Sequence, residues 1–165
     1  MWHALAWLLS RPAVASWLIA RAQRTPYVHL DGYMHRWWLF NPYLERSGSG
    51  SRYSWCPISI RVHHILRSDH GRDLHDHPWN ARTILLRGWY TETREGWGGS
   101  STTDEYHVRR AGDTATLQFG EFHRINQVSE GGVYTLFITG RYRGTWGFKV
   151  NGSKVPHREY LGDHQ

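Results

Sequence analysis

The sequence predicts a mainly β, single-domain protein, an antiparallel barrel or sandwich with a short helical segment at its N-terminus. Three observations carry this. Beyond residue 26 the apolar pattern changes from helical spacing to short alternating or β-branched runs. Glycine, at 17 of 165 residues, punctuates those runs, and no long helical pattern recurs after residue 25. Ten Trp, nine Tyr and five Phe raise the aromatic content to 15%, which excludes a disordered chain and furnishes one core.

The elements follow in order. "MWHALAWLLSRPAVASWLIARAQRTP" is apolar, but Arg11 and Pro12 divide it into pieces too short to span a bilayer, and it lacks the basic start of a secretory signal. Pro12 suits the first turn of a helix, and Val14, Trp17, Leu18 and Arg21 follow helical spacing. Residues 1–25 are therefore expected as two short helices packed on the rest of the chain, with Val14, Trp17 and Leu18 buried. Membrane-surface attachment and a contact within a homodimer are the alternatives. Residues 26–165 then form the β domain. Strands are expected at 33–40, 57–66, 81–93, 105–110, 113–119, 123–129, 133–143 and 145–151, with a flexible Gly/Ser loop at 47–51 and a turn-rich connection at 95–105.

Charge and cysteine content bound the partners. Twenty basic residues against fourteen acidic ones leave a net charge of +6, which suits an anionic ligand or surface. The basic residues are spread along the chain rather than blocked together, which argues against nucleic acid. Cys56 is alone, so no intramolecular disulfide forms, and the expectation is a cytoplasmic protein.

The chemistry centres on "RDLHDHPWN", residues 72–80. Asp73, His75 and His77 stand at i, i+2 and i+4, which in a strand places all three on one face. Pro78 cannot donate to a ladder and marks the end of that strand. A third histidine, His123, follows Gly120 in "GDTATLQFGEFHRIN". In "PISIRVHHIL" the apolar set Ile60, Val62, His64 and Leu66 is expected to face the interior, which sends His64 inward and His63 outward. Tyr90 and Trp79 are candidate cavity walls, and Arg82 and Arg124 are read as surface residues.

Together these segments resemble the two motifs of the cupin superfamily. His75, His77 and Gly88 match the first motif, and Gly112, Gly120 and His123 the second, with Gln118 where that motif carries a proline. The resemblance covers roughly residues 58 to 140 and implies a cupin-type, jelly-roll-like β-barrel. It also implies that His75, His77 and His123 bind one divalent metal ion: Fe, Mn, Zn or Ni. The motif's glutamate would fall near residue 81, where this chain has Ala81, so the three-His-one-Glu set is absent in that form. A three-His site is similar to the iron centre of cupin thiol dioxygenases. Asp73 is open to three roles: a fourth ligand, a carboxylate orienting an imidazole, or a turn residue. His64 is either a satisfied core histidine or a group facing the ligand. The "LHDHPW" run also resembles small cupin-like proteins of bacteriophages and their hosts.

Fold alone does not give function. A metalloenzyme of oxygenase, isomerase or hydrolase type is one expectation, and a non-catalytic small-molecule binding module is another. A structural or phage-accessory protein with a vestigial site is the third. Three neutral imidazoles leave the metal's full charge available, so a small anionic molecule is the expected ligand.

Overall fold

The structure is a computed structural model describing residues 1–43, 55–69, 71–96 and 104–162. The Gly/Ser run at 47–51 and most of the 95–105 connection lie outside the described residues. Two helices, α1 (Trp2–Leu9) and α2 (Pro12–Ala22), come first. Ten strands follow: β1 (Met34–Phe40), β2 (Ser59–Ile65), β3 (Ala81–Arg87), β4 (Trp89–Arg94), β5 (Glu105–Arg110), β6 (Thr114–Leu117), β7 (His123–Val128), β8 (Val133–Thr139), β9 (Gly147–Val150) and β10 (Ser153–Pro156). A short helix, α3 (His157–Leu161), ends the described chain.

Every strand pairing is antiparallel. One layer is a five-stranded sheet in the order β1-β2-β8-β3-β6. The other holds β5-β4-β7 and the β9–β10 hairpin, joined through His75, which bridges His123 of β7 on one side and Phe148 of β9 on the other. Two antiparallel layers facing across a cavity make a jelly roll. This is the expected mainly β, jelly-roll-like architecture, with sheets that are not closed into a barrel. The expected strand through Asp73 and His77 reduces to a bridge at His75, flanked on the β9 side by the Lys149 N–H donating to the Leu74 carbonyl at 2.7 Å and the Asp76 N–H donating to the Gly147 carbonyl at 3.0 Å.

The predicted strand 81–93 divides at Gly88, giving β3 to one layer and β4 to the other. Gly88 has φ +82°, and a Cβ there would lie 2.5 Å from Ser129 Oγ and 2.9 Å from the Gly132 carbonyl oxygen. Only glycine fits this crossing between layers. β10 and α3 extend the C-terminal end beyond the predicted elements.

The helices cover the outer face of the five-stranded sheet. Ala6, Ala15, Leu18, Ile19 and Ala22 form one buried cluster with Val62 of β2, Ile84 of β3 and Leu136 of β8. Ala15, Leu18, Ile19 and Ala22 follow i, i+3, i+4, i+7, a narrow stripe whose alanines let α2 approach the sheet closely. Trp17 lies off that stripe and is 64% exposed, against the expectation that it is buried, and Val14 is partly buried.

This packing reverses the expected parity of β2. An apolar stripe marks the face that meets an apolar partner, and here that partner is the helix pair. Val62 therefore points outward to the helices, while Arg61, His63 and Ile65 line the internal cavity. His64 is corrected likewise: its ring stacks on Tyr134 at 4.0 Å between centroids, and its Nε2 is 2.7 Å from the Gly131 carbonyl oxygen.

Leu18→Ala is expected to lower stability by about 2–4 kcal/mol, since it empties space between α2 and the sheet. Trp17→Ala is expected to stay within about 1 kcal/mol of the parent, because its side chain is largely in solvent. Urea unfolding of the two variants measures both.

Candidate metal centre

The site is built where the two layers meet. The His75 backbone N–H donates to the His123 carbonyl at 2.8 Å, and the His123 N–H donates back to the His75 carbonyl at 2.9 Å. The two residues are thus an antiparallel pair, which sets their imidazoles side by side with ring centroids 4.7 Å apart. His77, two residues on, comes back to the same face. Its Nε2 lies 2.9 Å from His123 Nε2. One ligand nitrogen from each of His75, His77 and His123 falls within a 4.8 Å group, and no other such cluster of His, Cys, Asp or Glu occurs among the described residues.

The donor set fits a divalent ion. Two imidazole nitrogens on one ion are at most about 4.2 Å apart, so the group closes on a metal with small ring rotations. His75 and His77 are also held neutral, as ligands must be. Burial, then the neighbouring His123, pushes His75 down to about 4, although Asp69 pulls the other way. Burial, followed by the charges of His123 and His75, holds His77 well below its ordinary value.

Two buried carboxylates stand behind the rings. Asp69 Oδ2 is 3.9 Å from His75 Nδ1, and Glu92 Oε2 is 3.5 Å from His123 Nδ1. Both distances exceed an aligned hydrogen bond, but both carboxylates lie on the Nδ1 side and leave Nε2 toward the cluster. Asp69 is fixed by the Tyr33 hydroxyl and by the Ile125 N–H at 2.8 Å. Glu92, only 1% exposed, receives Arg109 Nε at 2.8 Å and Arg94 Nε at 3.0 Å. Burial would raise its carboxyl, yet His123, Arg94 and Arg109 together outweigh burial and hold it down at about 2. Sequence spacing gave no signal for either residue, because Asp69 and Glu92 reach the histidines only through the fold.

Asp73 is drawn away from the cluster. Its Oδ2 accepts from the Tyr160 hydroxyl of α3 at 3.1 Å. Asp76, fully buried, accepts from the Gly147 N–H at 2.7 Å and pairs with Lys154. Both acids of the "DLHDH" run therefore tie down the C-terminal elements. At residue 81, Ala81 packs with Leu117, Phe137 and Trp79.

The histidines line a cavity of about 220 Å³ between the layers. Tyr90 lines it, with burial raising its phenol far above the ordinary value, and Trp79 forms another wall. Arg61, 4% exposed, is ringed by Trp38, Trp79, Phe137 and Tyr27, with its guanidinium 5.0 to 5.8 Å from the ring centroids. It forms no ion pair among the described residues, and its Nε has no hydrogen-bond partner. His63 Nε2 and Trp79 Nε1 are buried in the same wall without hydrogen-bond partners among the described residues. Burial, then Arg61, keeps His63 neutral. Sequence alternation pointed His63 outward and left Arg61 aside; the charged stripe itself was the signal, once the helices are known to take the apolar one.

Loss of stability in acid is expected for the metal-free protein. The unfolded chain binds a proton on His75 near pH 6.5, whereas the folded chain does so only near 4. Stability therefore falls as pH drops through that window, by up to roughly 1.4 kcal/mol per pH unit for this group, with His63 and His77 acting in the same direction. Urea titrations at about pH 7 and about pH 5 test it: equal stability at both would contradict the buried, neutral state of these rings.

No protein-family model matches the chain, and no curated protein matches it in sequence. Solved structures do. Oxalate decarboxylase OxdC of Bacillus subtilis superposes with a TM-score of 0.56 at 14% identity, over 86% of this chain and 32% of that one. The oxalate decarboxylase–formate complex of Lactobacillus farciminis superposes with a TM-score of 0.54 at 14% identity, over 85% of this chain and 36% of that one. The chain thus spans about a third of the length of these cupin-fold enzymes. At this identity the likeness establishes the cupin fold.

Proposed function

We propose that this chain is a metal-binding cupin that takes a small anionic molecule at a three-His centre, as a non-haem metalloenzyme of oxygenase, isomerase or hydrolase type. The observation that carries the anionic ligand is the charge of the cavity wall. Arg36, Arg61 and Arg72 line it against one carboxylate, Asp69. Among the described residues Arg61 is buried with no counter-ion, its Nη2 reaching only the Ser59 and Thr139 hydroxyls, an arrangement that is costly until an anion arrives. The Mn(II) centres of Bacillus subtilis oxalate decarboxylase and the formate complex of its Lactobacillus relative are consistent with a metal and a carboxylate in such a cavity.

In this reading His75, His77 and His123 hold the ion, whose chemistry when bound is to polarise a ligand oxygen. Asp69 and Glu92 keep His75 and His123 turned with Nε2 inward. Arg61 binds the ligand's negative charge. Neutral His63 and the Trp79 N–H offer hydrogen bonds to its remaining polar atoms. Apolar walls, among them Ile125, Leu117 and Phe137, limit water and strengthen each of these contacts. A non-catalytic binding module would use the same contacts without turnover.

Elemental analysis of protein made without a histidine tag is expected to find one divalent ion per chain, and none in His123→Ala or His77→Ala. Stoichiometric metal surviving in those variants would overturn the centre. Calorimetry with matched small acids and amides tests the ligand. The acid is expected to bind about ten- to a hundredfold more tightly in the parent, and Arg61→Gln is expected to erase most of that difference while retaining the metal.

A further inference from the structure

We propose that the outer face of α1 and α2 docks on the surface of an anionic lipid bilayer. α1 buries only Ala6. Its large apolar side chains Trp2, Leu5, Trp7 and Leu8 are exposed, Trp7 by 60%, and Trp17 of α2 joins them on the solvent side. Among the described residues no helix is long and apolar enough to cross a membrane, and the proposed attachment lies on the bilayer surface. Exposed tryptophan and leucine around a short helix, beside arginine, are the residue types enriched where a protein meets the membrane–water interface.

Charge selects the partner. The first 30 residues hold Arg11, Arg21 and Arg24 and no acidic residue. The Arg11 guanidinium lies 5.0 Å from the centre of the Trp7 ring, and that of Arg82 lies 4.5 Å from the Trp2 ring. Arg87 Nη2 donates to Ser16 Oγ on α2 at 2.9 Å. Trp17 and Arg21 are i, i+4 neighbours on the outer ridge. Among the described residues none of these five arginines pairs with a carboxylate. Asp113, whose turn meets α1 through Gly112, is engaged with the Arg110 N–H. A second copy meeting this face symmetrically would oppose the same cations with no acids between them. Lipid phosphates supply the missing anions, and the headgroup region accepts the indole rings. The docking face and the cavity lie on opposite sides of the five-stranded sheet, so metal binding is an independent check that a variant is folded.

Sedimentation of the full chain with phosphatidylcholine vesicles, with and without phosphatidylserine, tests this. Binding is expected to the anionic vesicles, weakening as salt screens the attraction. Arg11→Gln and Arg21→Gln are each expected to weaken it roughly fivefold. Trp7→Ser combined with Trp17→Ser is expected to weaken it by about tenfold or more, with metal content unchanged. Failure to sediment with anionic vesicles at low salt, equal binding to neutral ones, or full binding by the tryptophan variant overturns the proposal. So does light scattering that finds a dimer which the tryptophan variant breaks.

Discussion

The paired backbone hydrogen bonds between His75 and His123 are the constraint on which the rest of the structure depends. They join a segment with no ladder of its own to β7, and on its other side the same segment meets β9. The β5-β4-β7 sheet and the β9–β10 hairpin meet through this segment, whose Leu74 and Asp76 also bond to the backbone of Lys149 and Gly147. The pairing also fixes the distance between two imidazoles before any metal is considered, and His77 follows because alternate residues of extended chain share a face. Fold and centre thus share one local interaction.

Around that pair, charge is sorted by depth. Carboxylates sit behind the rings, on the Nδ1 side, where Arg94 and Arg109 balance Glu92. Guanidinium groups line the open space in front, and Arg61 has aromatic rings for neighbours instead of a carboxylate. His75 and His77, kept neutral by burial, can ligate a cation, while the arginines favour an anion beside it. The two requirements coexist at the boundary the histidines form, because Glu92 behind His123 is balanced by Arg94 and Arg109, and Asp69 is the one acidic side chain among the described residues lining the cavity. Replacing Ala81 by a carboxylate would place a further negative charge near this boundary, and the chain instead fills that position with a small apolar group packed on Phe137.

The five-stranded sheet is buried on both faces, and this explains where the sequence could be read and where it could not. Short strands punctuated by glycine were legible because turns and pleats are local. Gly88, Gly112 and Gly120 all adopt positive φ, so their spacing recorded backbone geometry that side chains rarely tolerate. The direction of β2 was not local. Its apolar and charged stripes are equally regular, and only the helices packed on Val62 decide which one faces the cavity. Trp17 misleads in the same way: helical spacing identifies α2, but the sheet accepts its narrow alanine and leucine stripe and leaves the indole outside.

By itself the sequence determined the mainly β class, the two N-terminal helices and the shared face of His75 and His77, because each rests on periodicity or short-range spacing, whereas His123 joined them only through the resemblance to the two cupin motifs. Only the tertiary structure decided that the layers remain open, that Asp73 serves α3, and that Asp69, Glu92, Arg61 and His63 surround the centre. These residues lie on different strands or on the loops between them. Their meeting depends on strand order and on which face of each sheet the helices cover, and neither is written in the pattern of any single segment.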